Sequence, residues 1–181
     1  MSSVGKINFE PVSDILPVQR RDFPLADPTL ADPNSSTPLV DGEWLTLDSN
    51  YKLVRASTIG TPGNLNTSSL VFPTFMEQGR ADVLANAARK TMVLFLGDYE
   101  FDTRVYDATV ALGSGAAISS VGQALKVATV TINLASGGSR NFTGLVGHGG
   151  HGTDDDPIVG YVTRLPANNG TKLRFIRGDR K

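Results

Sequence analysis

The sequence contains no cysteine. This absence excludes disulfides, thiolate catalysis and cysteine-ligated zinc or iron–sulfur sites. Aromatic residues are few, at 7%, and charged residues reach only 19%, below the roughly 25% that is typical of soluble domains. So low a charge fraction suits a surface that is covered by partners.

A surplus of positive charge is also missing, because the formal net charge is -1. Lysine and arginine are scattered, and the only five-residue stretch with three of them is at the tail, with Arg177, Arg180 and Lys181. Electrostatic capture of nucleic acid or of an anionic membrane needs a basic surplus or a basic stripe. We therefore expect neither nucleic acid nor membrane as a partner.

Long apolar runs are absent as well, and no stretch approaches the roughly 18 residues of a transmembrane helix. Residues 1–9 lack the basic cap and apolar stretch of a secretory signal. We expect a soluble protein that is made in a cytoplasm.

Short strand patterns dominate the chain from residue 39 to residue 181. The turn cluster Asp48-Ser49-Asn50 separates two of them, and Asn168-Asn169-Gly170 separates the last two, as in β-hairpins. The strands are predicted at residues 40–47, 51–56, 70–76, 91–96, 99–106, 123–134, 141–146, 158–165 and 171–176. Residues 79–90 are compatible with a helix or with extended chain, and we favour extended chain. Many short strands with glycine turns predict a mostly β fold, a small antiparallel β-barrel or sandwich.

Residues 1–38 form a different segment, which we call the arm. Six of the ten prolines of the chain fall here, at Pro11, Pro17, Pro24, Pro28, Pro33 and Pro38. Proline removes an amide donor and pushes the preceding residue to extended geometry, so no ordinary helix fits between these positions. The spacing predicts a long extended N-terminal arm ahead of a β-rich domain at residues 39–181.

Apolar side chains recur between these prolines, which distinguishes the arm from a disordered tail. An extended chain of this kind can lie along another protein, adding backbone hydrogen bonds and placing side chains in pockets. We expect the partner-binding residues to be Phe9, Ile15, Leu16, Phe23, Leu25 and Leu30. The alternative is that the arm folds back on its own domain.

A glycine-rich loop carries both histidines of the chain, His148 and His151, and is followed by three aspartates at 154–156. Imidazole and carboxylate are metal ligands, so His148, His151 and Asp154 are weak metal candidates. Four glycines favour a polar loop between strands instead. We expect no metal and no cofactor.

Catalytic motifs are otherwise missing. The sequence contains no Gly-x-Ser-x-Gly nucleophile elbow and no glycine-rich phosphate-binding loop. Glu100 and Asp102 lie on one face of a predicted half-exposed strand, where solvated charges are expected rather than acid–base catalysis. We therefore expect no enzymatic activity and no catalytic residue.

Three stretches together resemble a known family: VDGEWLTL at 40–47, KLVRAS at 52–57 and VGYVTRLPANNGTKLRF at 159–175. Their layout, over residues 38–177, resembles the capsid decoration (cement) proteins of tailed bacteriophages. The resemblance implies a β-rich domain on the capsid exterior that clamps neighbouring major capsid protein subunits, often as a trimer or dimer. It also implies an arm that reaches the capsid surface or a sister subunit.

The sequence thus predicts a structural virion protein that binds the major capsid protein and copies of itself. Two alternatives stay open. One is another phage component, from the tail, the fibre base or the connector. The other is a metal-binding enzyme that uses the loop of His148 and His151.

Overall fold

The structure is a computed structural model, and a defined subset of the chain is described. The described residues are 10–11, 19–31, 36, 39–40, 42–48, 50–56, 72–73, 90–95, 100–109, 116–133, 138–149, 156, 158–167 and 171–178. They fall into two compact units, which we call the sheet unit (residues 1–17 and 97–181) and the hairpin unit (residues 18–96).

The regular elements of the described residues are strands and one 3-10 turn. The strands are β1 (Glu10–Pro11), β2 (Gln19–Pro24), β3 (Trp44–Leu47), β4 (Leu53–Arg55), β5 (Phe72–Pro73), β6 (Lys90–Phe95), β7 (Glu100–Thr103), β8 (Ala124–Asn133), β9 (Ser139–Gly147), β10 (Gly160–Arg164) and β11 (Leu173–Ile176). The 3-10 turn spans Pro28–Ala31. The predicted mostly β fold is confirmed.

The sheet unit contains a six-stranded antiparallel sheet in the order β1-β7-β11-β10-β8-β9. The sheet curls, because the segment that directly follows β7 pairs with β9, at the other end of the strand order. The Leu145 amide donates to the Val105 carbonyl at 3.0 Å, and the Asp107 amide donates to the Leu145 carbonyl at 2.9 Å. The result is a half-barrel of antiparallel strands.

Glycine makes this curl sterically possible at β9. A Cβ built on Gly144 would lie 2.6 Å from the Val105 carbonyl oxygen, a distance that real Cβ atoms essentially never show. A Cβ on Gly147 would lie 2.4 Å from the carbonyl oxygen of Ala116, which also pairs with this strand. Only glycine lets neighbouring backbone approach β9 so closely at these two positions.

The core of the sheet unit consists of alternating apolar side chains from several strands. Phe101 on β7 and Phe175 on β11 stand opposite each other, with ring centroids 5.7 Å apart. Both rings are nearly inaccessible to solvent, as are Leu125, Leu145 and Leu173. This alternation of buried and half-exposed residues is what an antiparallel sheet with one apolar face requires.

The hairpin unit contains two small sheets, β2-β6 and β4-β3-β5. The turn between β3 and β4 begins at Asp48, as the sequence predicted. Six leucines pack in one cluster: Leu25, Leu30, Leu39, Leu45, Leu47 and Leu53. A backbone hydrogen bond links two members of this cluster, since the Leu39 amide donates to the Leu30 carbonyl at 2.8 Å.

Charge is also buried beside β3. The Glu43 side chain is fully buried, and it accepts hydrogen bonds from Arg55 Nε at 2.9 Å and from the Val40 amide at 3.0 Å. The pair ties the start of β3 to the end of β4, which gives this small sheet a fixed register.

Some predictions lie outside the described residues, namely the extended chain at 79–89 and the turn at 168–170. The boundary predicted between residues 38 and 39 stays a prediction. The two units divide the chain at other positions, after residues 17 and 96.

Candidate functional site

The described part of the arm begins with β1, which lies along β7 in antiparallel register. Glu10 stands opposite Asp102, and Pro11 stands opposite Phe101. An extended segment that pairs with the edge of a sheet gains backbone hydrogen bonds, although Pro11 has no amide donor and can only accept one. The arm segment therefore acts as an added strand.

A row of charged residues crosses four neighbouring strands at this edge. Glu10, Asp102, Arg174 and Arg164 stand opposite one another in register on β1, β7, β11 and β10. The row runs from two acidic residues to two basic ones. Opposite charges on adjacent strands stabilise a sheet, whereas like charges directly opposite each other destabilise it.

Asp102 is the centre of this row. Its Oδ1 accepts a hydrogen bond from Arg174 Nε at 2.8 Å, and its Oδ2 accepts one from Arg174 Nη2 at 3.0 Å. Arg164 Nη2 lies 3.4 Å from both oxygens. The paired geometry with Arg174 is the two-pronged arrangement in which guanidinium binds carboxylate most strongly.

The expectation of solvated charges on β7 is wrong for Asp102. This residue is only 7% exposed, because its side chain lies beside Arg174 on the neighbouring strand. The hydrogen bonds from Arg174 hold the pKa of the Asp102 carboxyl below its ordinary value of 3.8, against the opposing effect of burial. Glu100, two residues earlier on the strand, is half-buried.

The six predicted partner-binding residues have different positions. Leu25 is 5% exposed and Leu30 is 8% exposed, and both belong to the leucine cluster of the hairpin unit. Both side chains are covered by other leucines of their own chain, as in the alternative to partner binding. Phe23 lies on β2, and its side chain is outside the described part. Phe9, Ile15 and Leu16 lie outside the described residues and stay predictions.

The glycine-rich loop has a defined base, which we call the loop stem (His148, Asp156 and Lys126). Lys126 is 2% exposed, and its Nζ donates to Asp156 Oδ2 at 2.8 Å. His148 Nε2 lies 3.0 Å from the Asp156 backbone carbonyl oxygen. Asp156 therefore bridges a buried lysine on β8 and the histidine that follows β9.

The polar groups of the loop stem hold the loop in place. A backbone carbonyl can only accept a hydrogen bond, so His148 Nε2 must carry the proton and donate it. In this arrangement Nε2 has no lone pair for a metal. The buried ammonium of Lys126 has its charge compensated by Asp156, whose side chain is 47% exposed. Both groups hold the two ends of the loop beside the start of β8.

The weak metal candidates are only partly described. His151 and Asp154 lie outside the described residues, so the hypothesis of a metal in this loop stays a prediction. Among the described residues, no group of three His, Asp or Glu side chains could hold a metal ion.

Lys126 and Asp102 are the residues that sequence reasoning missed. The signal for Lys126 was a lysine inside the apolar, β-branched run of β8, where a charge must be paired to be buried. Asp102 had a matching signal in Arg174, which takes part in an alternating pattern near the end of the chain. Pairing the two requires the strand order, which local patterns do not supply.

No family model, no curated protein and no solved structure matches this chain. Within the part of the chain that the structure describes, no helix is long and apolar enough to cross a membrane.

Proposed function

We propose that this chain is a non-enzymatic structural protein of a tailed-phage virion. In this proposal it binds the outside of the capsid and stabilises the shell by clamping neighbouring major capsid protein subunits. The observation that carries the proposal is that residues 10–11 of the arm form an added strand, here on β7 of their own chain. In the proposal, other parts of the arm bind a partner in the same way.

Strand addition supports a clamp because its hydrogen bonds come from the backbone. A segment of this kind can pair with any exposed strand edge of suitable geometry, on a sister subunit or on a capsid protein. A shell under internal pressure is stabilised well by many weak contacts, since multivalency replaces a single tight interface.

The arm also carries apolar side chains that can bind a partner. Leu25 and Leu30 anchor its C-terminal part in the hairpin unit. Such an anchor ties the extended segment before it to a folded unit. The proposed docking residues Phe9, Ile15 and Leu16 all precede that anchor, so they are the ones we assign to the partner.

The loop stem supports a structural role for the histidine loop. His148 Nε2 donates to a backbone carbonyl, and the buried Lys126 ammonium is paired with Asp156. These bonds engage the groups that acid–base catalysis would use. The resemblance to capsid decoration proteins supports the same proposal.

The test mixes the purified full-length chain with expanded shells built from the major capsid protein of the same genome. We expect the chain to co-sediment with the shells, to appear as regular density on their exterior in negative-stain images, and to raise their rupture temperature. Absence from the shell pellet would overturn the proposal. Binding to isolated tails instead would favour the alternative of a tail, fibre-base or connector component.

A further inference from the structure

Asp156 of the loop stem is followed in the sequence by Pro157, so the bond that joins them is an Asp–Pro bond. Proline has no amide hydrogen, and its bond to the preceding residue is therefore a tertiary amide. The nitrogen of such an amide is more basic than that of an ordinary peptide bond, so it leaves more readily after protonation. The aspartate carboxylate is an intramolecular nucleophile for the same bond, which removes the entropy cost of bringing two reactants together.

Two groups of the loop stem engage Asp156 at the atoms that such an attack uses. His148 Nε2 donates to the Asp156 backbone carbonyl oxygen at 3.0 Å, and this oxygen takes up negative charge when the carbonyl carbon is attacked. A fixed donor at a developing oxyanion stabilises the transition state. Lys126 Nζ lies 2.8 Å from Asp156 Oδ2 and is buried, so water screens its positive charge only weakly. Water nevertheless reaches Asp156, whose side chain is 47% exposed.

The bond between Asp27 and Pro28 is a second Asp–Pro bond, in a different setting. The Asp27 carbonyl accepts a hydrogen bond from the Leu30 amide at 3.2 Å. Its Oδ1 accepts from the amide and the hydroxyl of Thr29, at 2.9 and 2.8 Å. Within the described part of the chain, neither an imidazole nor an ammonium group forms a hydrogen bond to Asp27. This bond is therefore an internal reference for the effect of the loop stem.

We infer that the chain cleaves itself between Asp156 and Pro157. A carboxylate oxygen of Asp156 attacks the backbone carbonyl carbon of the same residue, a C–O bond forms, and negative charge moves to the carbonyl oxygen that His148 binds. The C–N bond to Pro157 then breaks, and the proline nitrogen takes a proton from solvent and becomes a new N-terminus. One water hydrolyses the five-membered cyclic anhydride that is left on Asp156. A covalent intermediate of this kind divides one difficult hydrolysis into two easier steps.

The cleaved chain would keep its sheet. The cut falls between β9 and β10, and the fragment 157–181 carries β10 and β11. These strands pair with β8 and β7, respectively. The two fragments should therefore stay associated while the protein is folded and separate only on denaturation. Cleavage opens the loop without removing a strand.

The test follows the purified full-length chain in a mildly acidic buffer in which its circular dichroism remains that of the folded protein. Mass spectrometry of denatured samples measures the fragments 1–156 and 157–181, together with the fragments from cleavage after Asp27. We expect cleavage after Asp156 to be about tenfold or more faster than cleavage after Asp27, and this preference to disappear in urea at the same pH. Equal rates at the two bonds, a preference that persists in urea, or no cleavage after Asp156 would each overturn the inference.

Variants at two positions test the roles of the loop stem. His148→Ala removes the donor and should slow cleavage after Asp156 about tenfold or more, while cleavage after Asp27 is unchanged. His148→Gln keeps an N–H donor and should restore part of the rate. Asp156→Glu keeps a carboxylate at a half-exposed position but requires a six-membered ring, so it should also slow cleavage. Wild-type rates in folded His148→Ala or folded Asp156→Glu would contradict the mechanism. No shell is needed for these measurements, so their outcome is independent of the proposed function.

Discussion

Replacing Asp102 by asparagine tests the charged row at the edge that receives the arm. The substituted side chain would keep the size of the original but lose its negative charge. One of its two oxygens would become an NH2 group that faces an Arg174 N–H, donor against donor. Asp102 accepts two hydrogen bonds from Arg174, at 2.8 and 3.0 Å, and is 7% exposed. The change therefore removes the paired interaction without opening a cavity.

The expected loss follows from this geometry. Breaking a buried ion pair costs roughly 3–5 kcal/mol when the remaining charge stays buried. The Arg174 side chain is 24% exposed and that of Arg164 is 54% exposed, so water can solvate both after the change. We therefore expect a loss of about 2–3 kcal/mol in the free energy of unfolding. For a chain of this size that corresponds to a fall of roughly 4–12 °C in melting temperature.

The pH dependence gives this prediction a second signature. The pKa of Asp102 is lowered in the folded state, so its contribution to stability is present above the ordinary value of 3.8. That contribution is lost as pH falls through the lower, folded-state pKa. The difference between wild type and Asp102→Asn should thus be constant from about pH 8 to pH 5 and shrink below about pH 4.

Urea unfolding at a series of pH values measures both effects. Glu100→Gln is the matched control, because Glu100 lies on the same strand and affects Arg174 only through longer-range attraction. It should change stability by less than about 1 kcal/mol. Our reasoning is wrong if Asp102→Asn costs no more than this control, or if its cost is unchanged at low pH.

Five further substitutions, at four positions, test other parts of the structure by urea unfolding. Gly144→Ala should cost about 2–3 kcal/mol, more than Gly138→Ala, because its Cβ would lie 2.6 Å from the Val105 carbonyl oxygen. Gly138→Ala, with open space but a φ of +85°, should cost about 1 kcal/mol, and an equal cost for both would refute the close approach at β9. Lys126→Met should cost less than Lys126→Ala, since methionine keeps the buried stem and leaves a carboxylate that is already half exposed; the reverse order would contradict this. Leu25→Ala should lower the free energy of unfolding by about 2–5 kcal/mol, because Leu25 is a core residue. A loss under about 0.5 kcal/mol would instead indicate a surface residue and favour the predicted role of Leu25 in partner binding.

Much of the strand pattern could be predicted from local sequence. The β3–β4 hairpin followed from the turn at Asp48, and β8 followed from its run of β-branched residues. These signals are local, because strand patterns and turn residues act within a few positions. The predicted fold class was correct for this reason.

Long-range pairing was not predictable in the same way. Nothing local indicates that Glu10 stands opposite Asp102, or that residues after β7 pair with β9 across the curled sheet. The burial of Asp102 depends on such pairings, and from local sequence it looked like a solvated charge. Leu25 and Leu30 were assigned to a partner for a related reason: apolar spacing shows that a side chain is covered but not by which surface.

The most direct test of a docking arm uses Phe9, Ile15 and Leu16. Full-length chain with all three replaced by alanine is compared with the wild type for occupancy on expanded shells, with thermal unfolding as the check on folding. If the arm grips the capsid, the variant should keep the melting temperature of the wild type and lose most of its shell occupancy. Full occupancy with an unchanged melting temperature would contradict the account.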